Sequence, residues 1–128
     1  MMTNGVNTRE LILEILLQIN EEGEHSHIAI RNALSKYQFL PKQDRAFITR
    51  VCEGTLEYRI YIDYIIDSFS KIKVDKMKPP IREILRSAVY QLRFMDRVPD
   101  SAVCNEAVKL TQRKGFYNLK PFVNGVLR

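Results

Sequence analysis

The sequence has little of the residues that build metal sites, disulfide frameworks and nucleotide-binding loops. Its 128 residues include two cysteines, two histidines and five glycines. Cys52 and Cys104 are too few for a disulfide framework and too far apart for a CxxC metal motif, which favours a reducing compartment. No apolar run reaches the ~18 residues needed to cross a bilayer, and Met1–Gly5 lacks the basic and apolar regions of a secretory signal. The sequence therefore predicts a cytoplasmic protein.

The scattered glycines argue against a bound cofactor. A nucleotide or S-adenosylmethionine site usually combines a strand, a glycine-rich turn and a helix, and these five glycines never cluster. His25 and His27 form a His-x-His pair, but no neighbouring Cys, Asp or third His completes a metal site. Both cysteines have apolar neighbours, as buried thiols do. We expect no catalytic, cofactor-binding or metal-binding residue in these 128 residues.

Charge is unevenly distributed along the chain. Residues 1–70 contain seven Lys or Arg and ten Asp or Glu, a net charge of −3. Residues 71–128 contain thirteen Lys or Arg and five Asp or Glu, a net charge of +8, and the sequence pI is near 9.3. A one-sided positive field attracts polyanions such as RNA. The same charge also suits a solvated surface that keeps a protein soluble.

Every long segment has the apolar spacing of an amphipathic helix, and none alternates with period two for long. Asn7 predicts the start of the first helix, with Glu10 as its capping-box partner. Pro41 suits the first turn of a third helix, and Asp100 or Ser101 caps a sixth. The other predicted boundaries are Gly23, Ser26, a bend near Gly54 or Tyr58, Pro79–Pro80, Gly115 and the turn Asn118–Pro121. The sequence thus predicts an all-α fold, a bundle of six or seven helices in one domain over residues 1–128.

The fifth predicted helix has the cleanest apolar stripe, formed by Ile81, Ile84, Leu85, Ala88 and Leu92. Tyr90 and Phe94 lie one turn apart on the same helix, beside basic residues. RNA-binding proteins expose aromatic rings next to basic groups so that bases can stack on them. Packing in the core is the commoner fate of such rings.

Six short motifs follow one another along the chain. They are Asp44-Arg45-Ala46-Phe47, Glu53-Gly54-Thr55-Leu56, Ile84-Leu85-Arg86 with Tyr90-Gln91-Leu92, Val98-Pro99, Asn105-Glu106-Ala107-Val108-Lys109-Leu110 and Phe122-Val123-Asn124-Gly125-Val126-Leu127-Arg128. In this order, and from Thr8 onward, the chain resembles the NusB-like domain family. That all-α domain occurs as the antitermination factor NusB and as the N-terminal domain of the RsmB (Sun/Fmu) type of bacterial rRNA cytosine-C5 methyltransferase.

Local features resemble the methyltransferase branch of this family. The Glu-Gly-Thr-Leu motif leads into an Ile-Asp-Tyr-Ile-Ile helix, and the last motif ends in Leu-Arg rather than Leu-Asp. NusB proteins often begin with an arginine-rich stretch that contacts RNA, whereas the first eight residues here contain no Lys or Arg and Arg9 stands alone. The chain also stops at Arg128, one or two turns into an apolar helix. We therefore interpret it as the N-terminal fragment of a longer methyltransferase.

The resemblance implies an RNA-recognition domain of an S-adenosylmethionine-dependent 16S rRNA cytosine-C5 methyltransferase. It would hold small-subunit rRNA for a downstream methyltransferase domain in the same polypeptide, and S-adenosylmethionine is expected for the full-length enzyme only. One alternative is a free-standing antitermination factor that binds RNA together with a small ribosomal protein. Another is a helical protein-interaction module whose basic half contacts an acidic partner. No membrane contact is expected.

The turn before the last helix is the predicted RNA-binding site. A helix start has unpaired N–H groups and the positive end of the dipole, and the resemblance implies that this turn contacts RNA. The predicted RNA-binding residues are Lys109, Arg113, Lys114, Asn118, Lys120 and Phe122. Asn118 has an alternative interpretation as a plain helix cap, and Phe122 as a core anchor. The lysine-rich link Lys71–Lys78 is the next candidate.

Overall fold

The computed structural model describes residues 2–3 and 6–128, and over these residues the chain folds into seven α-helices around one core. In chain order they are α1 (Thr8–Asn20), α2 (Ser26–Lys36), α3 (Lys42–Glu57), α4 (Arg59–Phe69), α5 (Pro79–Phe94), α6 (Asp100–Arg113) and α7 (Lys120–Leu127). Single 3₁₀ turns over Val74–Lys76 and Tyr117–Leu119 precede α5 and α7. The predicted bundle of six or seven helices is confirmed.

One small element was not predicted. β1 (Met2–Thr3) and β2 (Val6–Asn7) pair antiparallel, with Met2 opposite Asn7 and Thr3 opposite Val6. Strands of two residues are too short to produce a period-two pattern in a sequence. The segment Met1–Gly5, for which no secretory signal is expected, lies partly outside the described residues.

The predicted helix starts agree with the structure to within a residue except at α7, which begins at Lys120, inside the turn predicted over Asn118–Pro121. Asn7 caps α1, and its Oδ1 accepts hydrogen bonds from two N–H groups of the first turn at 3.0 and 3.1 Å. The carboxylate of Glu10, predicted as the capping-box partner, instead lies 2.7 Å from Nζ of Lys114. Pro41 is the N-cap of α3 rather than part of its first turn, and Asp100 is the first residue of α6 rather than its cap. Such one-residue shifts are ordinary at helix ends.

The breaks between helices also lie where the sequence predicts them. Gly23 follows α1 with a φ of 79°, and Gly115 follows α6 with a φ of 91°. These left-handed values favour glycine, because a Cβ would be strained there. α3 ends at Glu57 and α4 begins at Arg59, so the predicted bend lies at Tyr58.

α5 is the central helix of the bundle, in contact with α1, α3, α4, α6 and α7. Its apolar stripe is buried as predicted except for Leu92, which is half-buried, but the other side is buried as well. Every residue from Glu83 to Gln91 is buried, and the polar ones are Glu83, Arg86, Ser87 and Gln91. Helical periodicity predicts which face of a helix is apolar, but it does not predict how many other helices pack around that helix.

Candidate RNA-binding site

The end of α6 meets the start of α7, and the predicted RNA-binding residues surround this junction. Lys120, the first residue of α7, reaches back to α6, and its Nζ donates to Oε1 of Gln112 at 2.8 Å. The same ammonium lies 4.5 Å from the centre of the Tyr117 ring, which is a cation–π contact. Tyr117 is 62% exposed. Tyr117 was not among the predicted RNA-binding residues, although its position three residues before Lys120 in a tight turn was a usable signal.

The other three cations of the predicted site are paired with carboxylates. The pairs are Lys114–Glu10 at 2.7 Å, Lys114–Glu14 at 3.6 Å, Arg113–Glu10 at 3.4 Å and Lys109–Glu106 at 3.6 Å. Two of the three acids come from α1, which packs beside the end of α6. These carboxylates reduce the positive electrostatic field that the basic composition of residues 71–128 predicts at this junction.

Asn118 and Phe122 differ in exposure. Asn118 is exposed in the 3₁₀ turn that precedes α7. The plain-cap interpretation of Asn118 is wrong, because Leu119 occupies the N-cap position. Phe122 is half-buried and packs against the core, in agreement with its interpretation as a core anchor.

Arg9 is half-buried and is held against neighbouring helices. Its guanidinium lies 5.3 Å from the centre of the Phe47 ring, and its Nε donates to Oε1 of Gln91 at 3.3 Å. Burial lowers the pKa of Arg9, against the raising effect of Glu106. Arg9 therefore connects α1 to α3 and α5, and it does not extend as a free cation from the N-terminal end of the domain.

Tyr90 and Phe94 form part of an aromatic stack. Phe94 stacks on Tyr90 with ring centres 5.0 Å apart and on Tyr58 with ring centres 4.6 Å apart. Tyr90 is buried, so its interpretation as a core residue is confirmed. Gly54 lies against the Tyr90 ring so closely that an added Cβ would overlap it.

A groove of about 560 Å³ runs beside α3 and was not predicted. Two of its cations already bind the backbone: Nη1 of Arg45 donates to the carbonyl of Leu34 at 2.8 Å, and Nη2 of Arg50 donates to that of Phe94 at 2.9 Å. The groove lies between helices and has no glycine-rich turn after a strand.

The two histidines are close in space but do not form a metal site. The rings of His25 and His27 lie 6.1 Å apart. Within residues 2–3 and 6–128, no group of three His, Cys, Asp or Glu side chains could hold a metal ion. Each helix described is too short or too polar to cross a bilayer.

Both cysteines are free and buried. Burial raises the pKa of Cys52, and the neighbouring charge of Glu53 raises it further. Since the thiolate is the reactive form, Cys52 is a poor nucleophile. Sγ of Cys104 lies 4.0 Å from the carbonyl oxygen of Leu127, where it packs α6 against α7.

We expect Cys52 to resist Ellman's reagent in the folded protein at mildly alkaline pH and to react at once in denaturing guanidinium. Single Cys52→Ser and Cys104→Ser variants, each with one thiol left, allow the two rates to be measured separately. Rapid labelling of Cys52 in the folded Cys104→Ser variant would contradict its assignment as an inert core residue.

Comparison with known proteins identifies a family. The model of the NusB family matches residues 6–128. A probable ribosomal RNA small subunit methyltransferase B of Bacillus subtilis is 31% identical over 95% of this chain, which spans 27% of that protein. A transcription antitermination protein NusB of Bacillus velezensis is 32% identical over 93% of this chain and 88% of its own length.

Solved structures of NusB proteins have the same fold. NusB of T. maritima superposes with a TM-score of 0.85 and 26% identity, covering 99% of this chain and 89% of that one. The antitermination factor NusB, crystallised with NusE and dsRNA, superposes with a TM-score of 0.84 and 21% identity, covering 94% and 89%.

Proposed function

Because the chain belongs to the NusB family, we propose that it is the RNA-recognition domain of an S-adenosylmethionine-dependent 16S rRNA cytosine-C5 methyltransferase. The observation that carries this proposal is its similarity, over nearly its whole length, to relatives named for methylation of small-subunit rRNA. In this proposal the chain is the N-terminal part of a longer cytoplasmic enzyme. The cofactor and the catalytic cysteines belong to the downstream domain.

The residues of this chain would bind and orient the rRNA. Lysine and arginine side chains neutralise phosphates, which fixes the position of an RNA without reading its sequence. At the α6–α7 junction, Lys120 offers a charge and Tyr117 an exposed ring for an unpaired base. A domain that holds a folded RNA in this way lets a neighbouring domain extrude and methylate one base.

A free-standing antitermination factor is the second candidate. It is favoured by the fact that the chain spans most of the length of a NusB relative. No Lys or Arg precedes Arg9, and Arg9 itself is held by Phe47 and Gln91. The chain therefore lacks the arginine-rich N-terminal stretch of many NusB proteins, which favours the first candidate. The second candidate requires binding of a short single-stranded RNA together with a small ribosomal protein.

Filter binding with transcribed small-subunit rRNA tests the proposal. We expect tighter binding to this transcript than to its antisense transcript of equal length, with a logarithmic salt slope of about −2 to −5. Equal binding to both transcripts would contradict rRNA recognition. Binding of a short single-stranded RNA only in the presence of a small ribosomal protein would favour the antitermination factor.

We expect Lys120→Glu to weaken binding of the small-subunit transcript at least several-fold at low salt, because it reverses a charge beside the Tyr117 ring. The melting temperature should change little, because the hydrogen bond of Lys120 to Gln112 is solvent-exposed and substitutions away from the core usually alter stability by about 0.5 kcal/mol or less. Lys36→Glu is the matched control, because Lys36 also lies over a tyrosine, 5.5 Å from the centre of the Tyr37 ring. Equal affinities for Lys120→Glu and Lys36→Glu would remove Lys120 from the site.

A further inference from the structure

The lysine-rich segment Lys71–Lys78 connects α4 to α5, apart from the α6–α7 junction. Its four lysines, Lys71, Lys73, Lys76 and Lys78, are all exposed. Among the residues that the structure describes, none of these four ammonium groups has an ion-pair or hydrogen-bond partner. Nor does any of them cap a helix through its side chain.

The backbone of this segment is held firmly against the core. Val74 and Met77 are only 4% and 7% exposed, so they anchor the segment while the lysines between and around them face the solvent. The N–H of Val74 donates to Oδ1 of Asp67 at 2.8 Å. The N–H of Met77 donates to the carbonyl of Val74 at 3.1 Å. The backbone of such a segment has little conformational freedom left to lose when it binds a ligand.

The pairing of the cations differs between this segment and the junction. At the junction, three of the four cations are directly paired with the carboxylates of Glu10, Glu14 and Glu106. Among the described residues, no lysine of the segment is paired in this way. A polyanion has no existing ion pair to displace at the segment.

An exposed aromatic ring adjoins these lysines. Phe69, the last residue of α4, is 66% exposed and lies two residues before Lys71. Cations that track a phosphate backbone, together with a ring on which a base stacks, are the usual elements of single-strand recognition. An acidic protein segment would use the lysines but has no base to place on Phe69.

We propose that Lys71, Lys73, Lys76 and Lys78 form a second RNA-binding surface, on which phosphates contact the lysines and an unpaired base stacks on Phe69. This inference rests on the proposed function, which it extends from the α6–α7 junction to the α4–α5 connection. A structured rRNA would then contact the domain on two separate surfaces. The two surfaces fix its orientation more narrowly than either surface alone.

The test compares two fourfold variants of equal charge. The segment variant carries Lys71→Gln, Lys73→Gln, Lys76→Gln and Lys78→Gln. The control variant carries Arg31→Gln, Lys42→Gln, Arg93→Gln and Arg97→Gln, all at exposed positions outside the segment. On α5, Arg93 lies about 20 Å along the axis from Lys78, at a rise of about 1.5 Å per residue. Binding of the small-subunit transcript is measured over a salt series, with the melting temperature of each variant.

We expect the segment variant to bind the transcript at least about tenfold more weakly than the control variant. The magnitude of its logarithmic salt slope should fall by roughly 2–3, because each single-strand phosphate that a lysine neutralises adds about 0.7 to it. Phe69→Ala should weaken binding of a short single-stranded RNA and leave binding of an RNA duplex of the same length unchanged. These three results together support the inference.

Other results overturn it in distinguishable ways. Equal affinities and slopes for the segment and control variants would reject the second surface and leave the proposed function intact. Loss of polyglutamate binding by the segment variant, with RNA binding retained, would assign the surface to an acidic protein partner. Failure of the unmodified domain to bind the transcript would instead reject the proposed function.

Discussion

Replacing Arg86 with methionine is expected to lower the free energy of unfolding by about 3–5 kcal/mol, because the buried Glu83 carboxylate then keeps only the Asn20 amide at 3.0 Å and Nε of Arg82 at 3.9 Å. Nη1 of Arg86 donates to Oε2 of Glu83 at 2.7 Å. Its Nε and Nη2 donate to the two carboxylate oxygens of Asp63, each at 2.8 Å. The Glu83 side chain is 0% exposed. Methionine fills the aliphatic volume of Arg86 but cannot neutralise the Glu83 carboxylate.

The loss of stability should depend on pH. Burial raises the pKa of Glu83, and the charge of Arg86 is the largest influence that lowers it again. In Arg86→Met that opposing charge is gone, so the pKa of Glu83 rises further. Since protonated Glu83 has no charge to bury, the deficit should be smaller at about pH 5 than at about pH 8, growing as pH rises through the raised pKa.

Urea unfolding followed by circular dichroism measures both effects. Arg93→Met is the matched control, because Arg93 lies on the same helix and is exposed; its stability should change by about 0.5 kcal/mol or less. The double variant Glu83→Gln/Arg86→Met removes the buried charge that has lost its strongest partner, and it should recover much of the loss. A deficit below about 1 kcal/mol at about pH 8 would show that the network contributes less than buried ion pairs usually do.

The fold could be predicted because its determinants are local. The cap at Asn7 and the left-handed glycines after α1 and α6 act within one helical turn. The break at Tyr58 is local as well. Apolar spacing then predicts which face of each helix turns inward, and burial of that face supplies most helix stability.

Interactions between residues far apart in the chain were not predictable in this way. The sequence pattern places Glu10 in a local capping box, but its carboxylate pairs with Lys114 at the far end of the sequence. Glu83 and Arg86 lie outside the apolar stripe of α5, yet the five neighbouring helices bury them too. The proximity of the predicted RNA-binding residues followed from their closeness in sequence, whereas their acidic partners on α1 did not.

Replacing Gly54 with alanine is expected to lower the free energy of unfolding by about 1–3 kcal/mol, as overpacking usually does. Gly54 is buried on α3, and an added Cβ would overlap the Tyr90 ring. That ring cannot move aside freely, because it is buried and stacks on Phe94, which stacks in turn on Tyr58. The close approach gives a physical reason for glycine in the Glu-Gly-Thr-Leu motif.

The sign of the change in stability distinguishes a steric overlap with the Tyr90 ring from the higher intrinsic helix propensity of alanine. Alanine in place of an exposed helical glycine stabilises a protein by about 0.5–1 kcal/mol. Gly125 on α7 provides this control, because a Cβ added there meets nothing within 4 Å. Thermal and urea unfolding should therefore give a loss for Gly54→Ala and a gain for Gly125→Ala. A gain in stability at both positions would mean that the Tyr90 ring can move aside with little loss of free energy.

A double-mutant cycle tests whether the Tyr90 ring causes the loss of stability in Gly54→Ala. Tyr90→Ala is destabilising by itself, since removal of a buried aromatic ring leaves a cavity. In that background the Cβ of Gly54→Ala enters vacant space, so the second substitution should cost nothing or stabilise slightly. The coupling between the two positions should then be about 1–3 kcal/mol, as for residues in direct contact. Additive effects of the two substitutions would place the strain of Gly54→Ala elsewhere in α3.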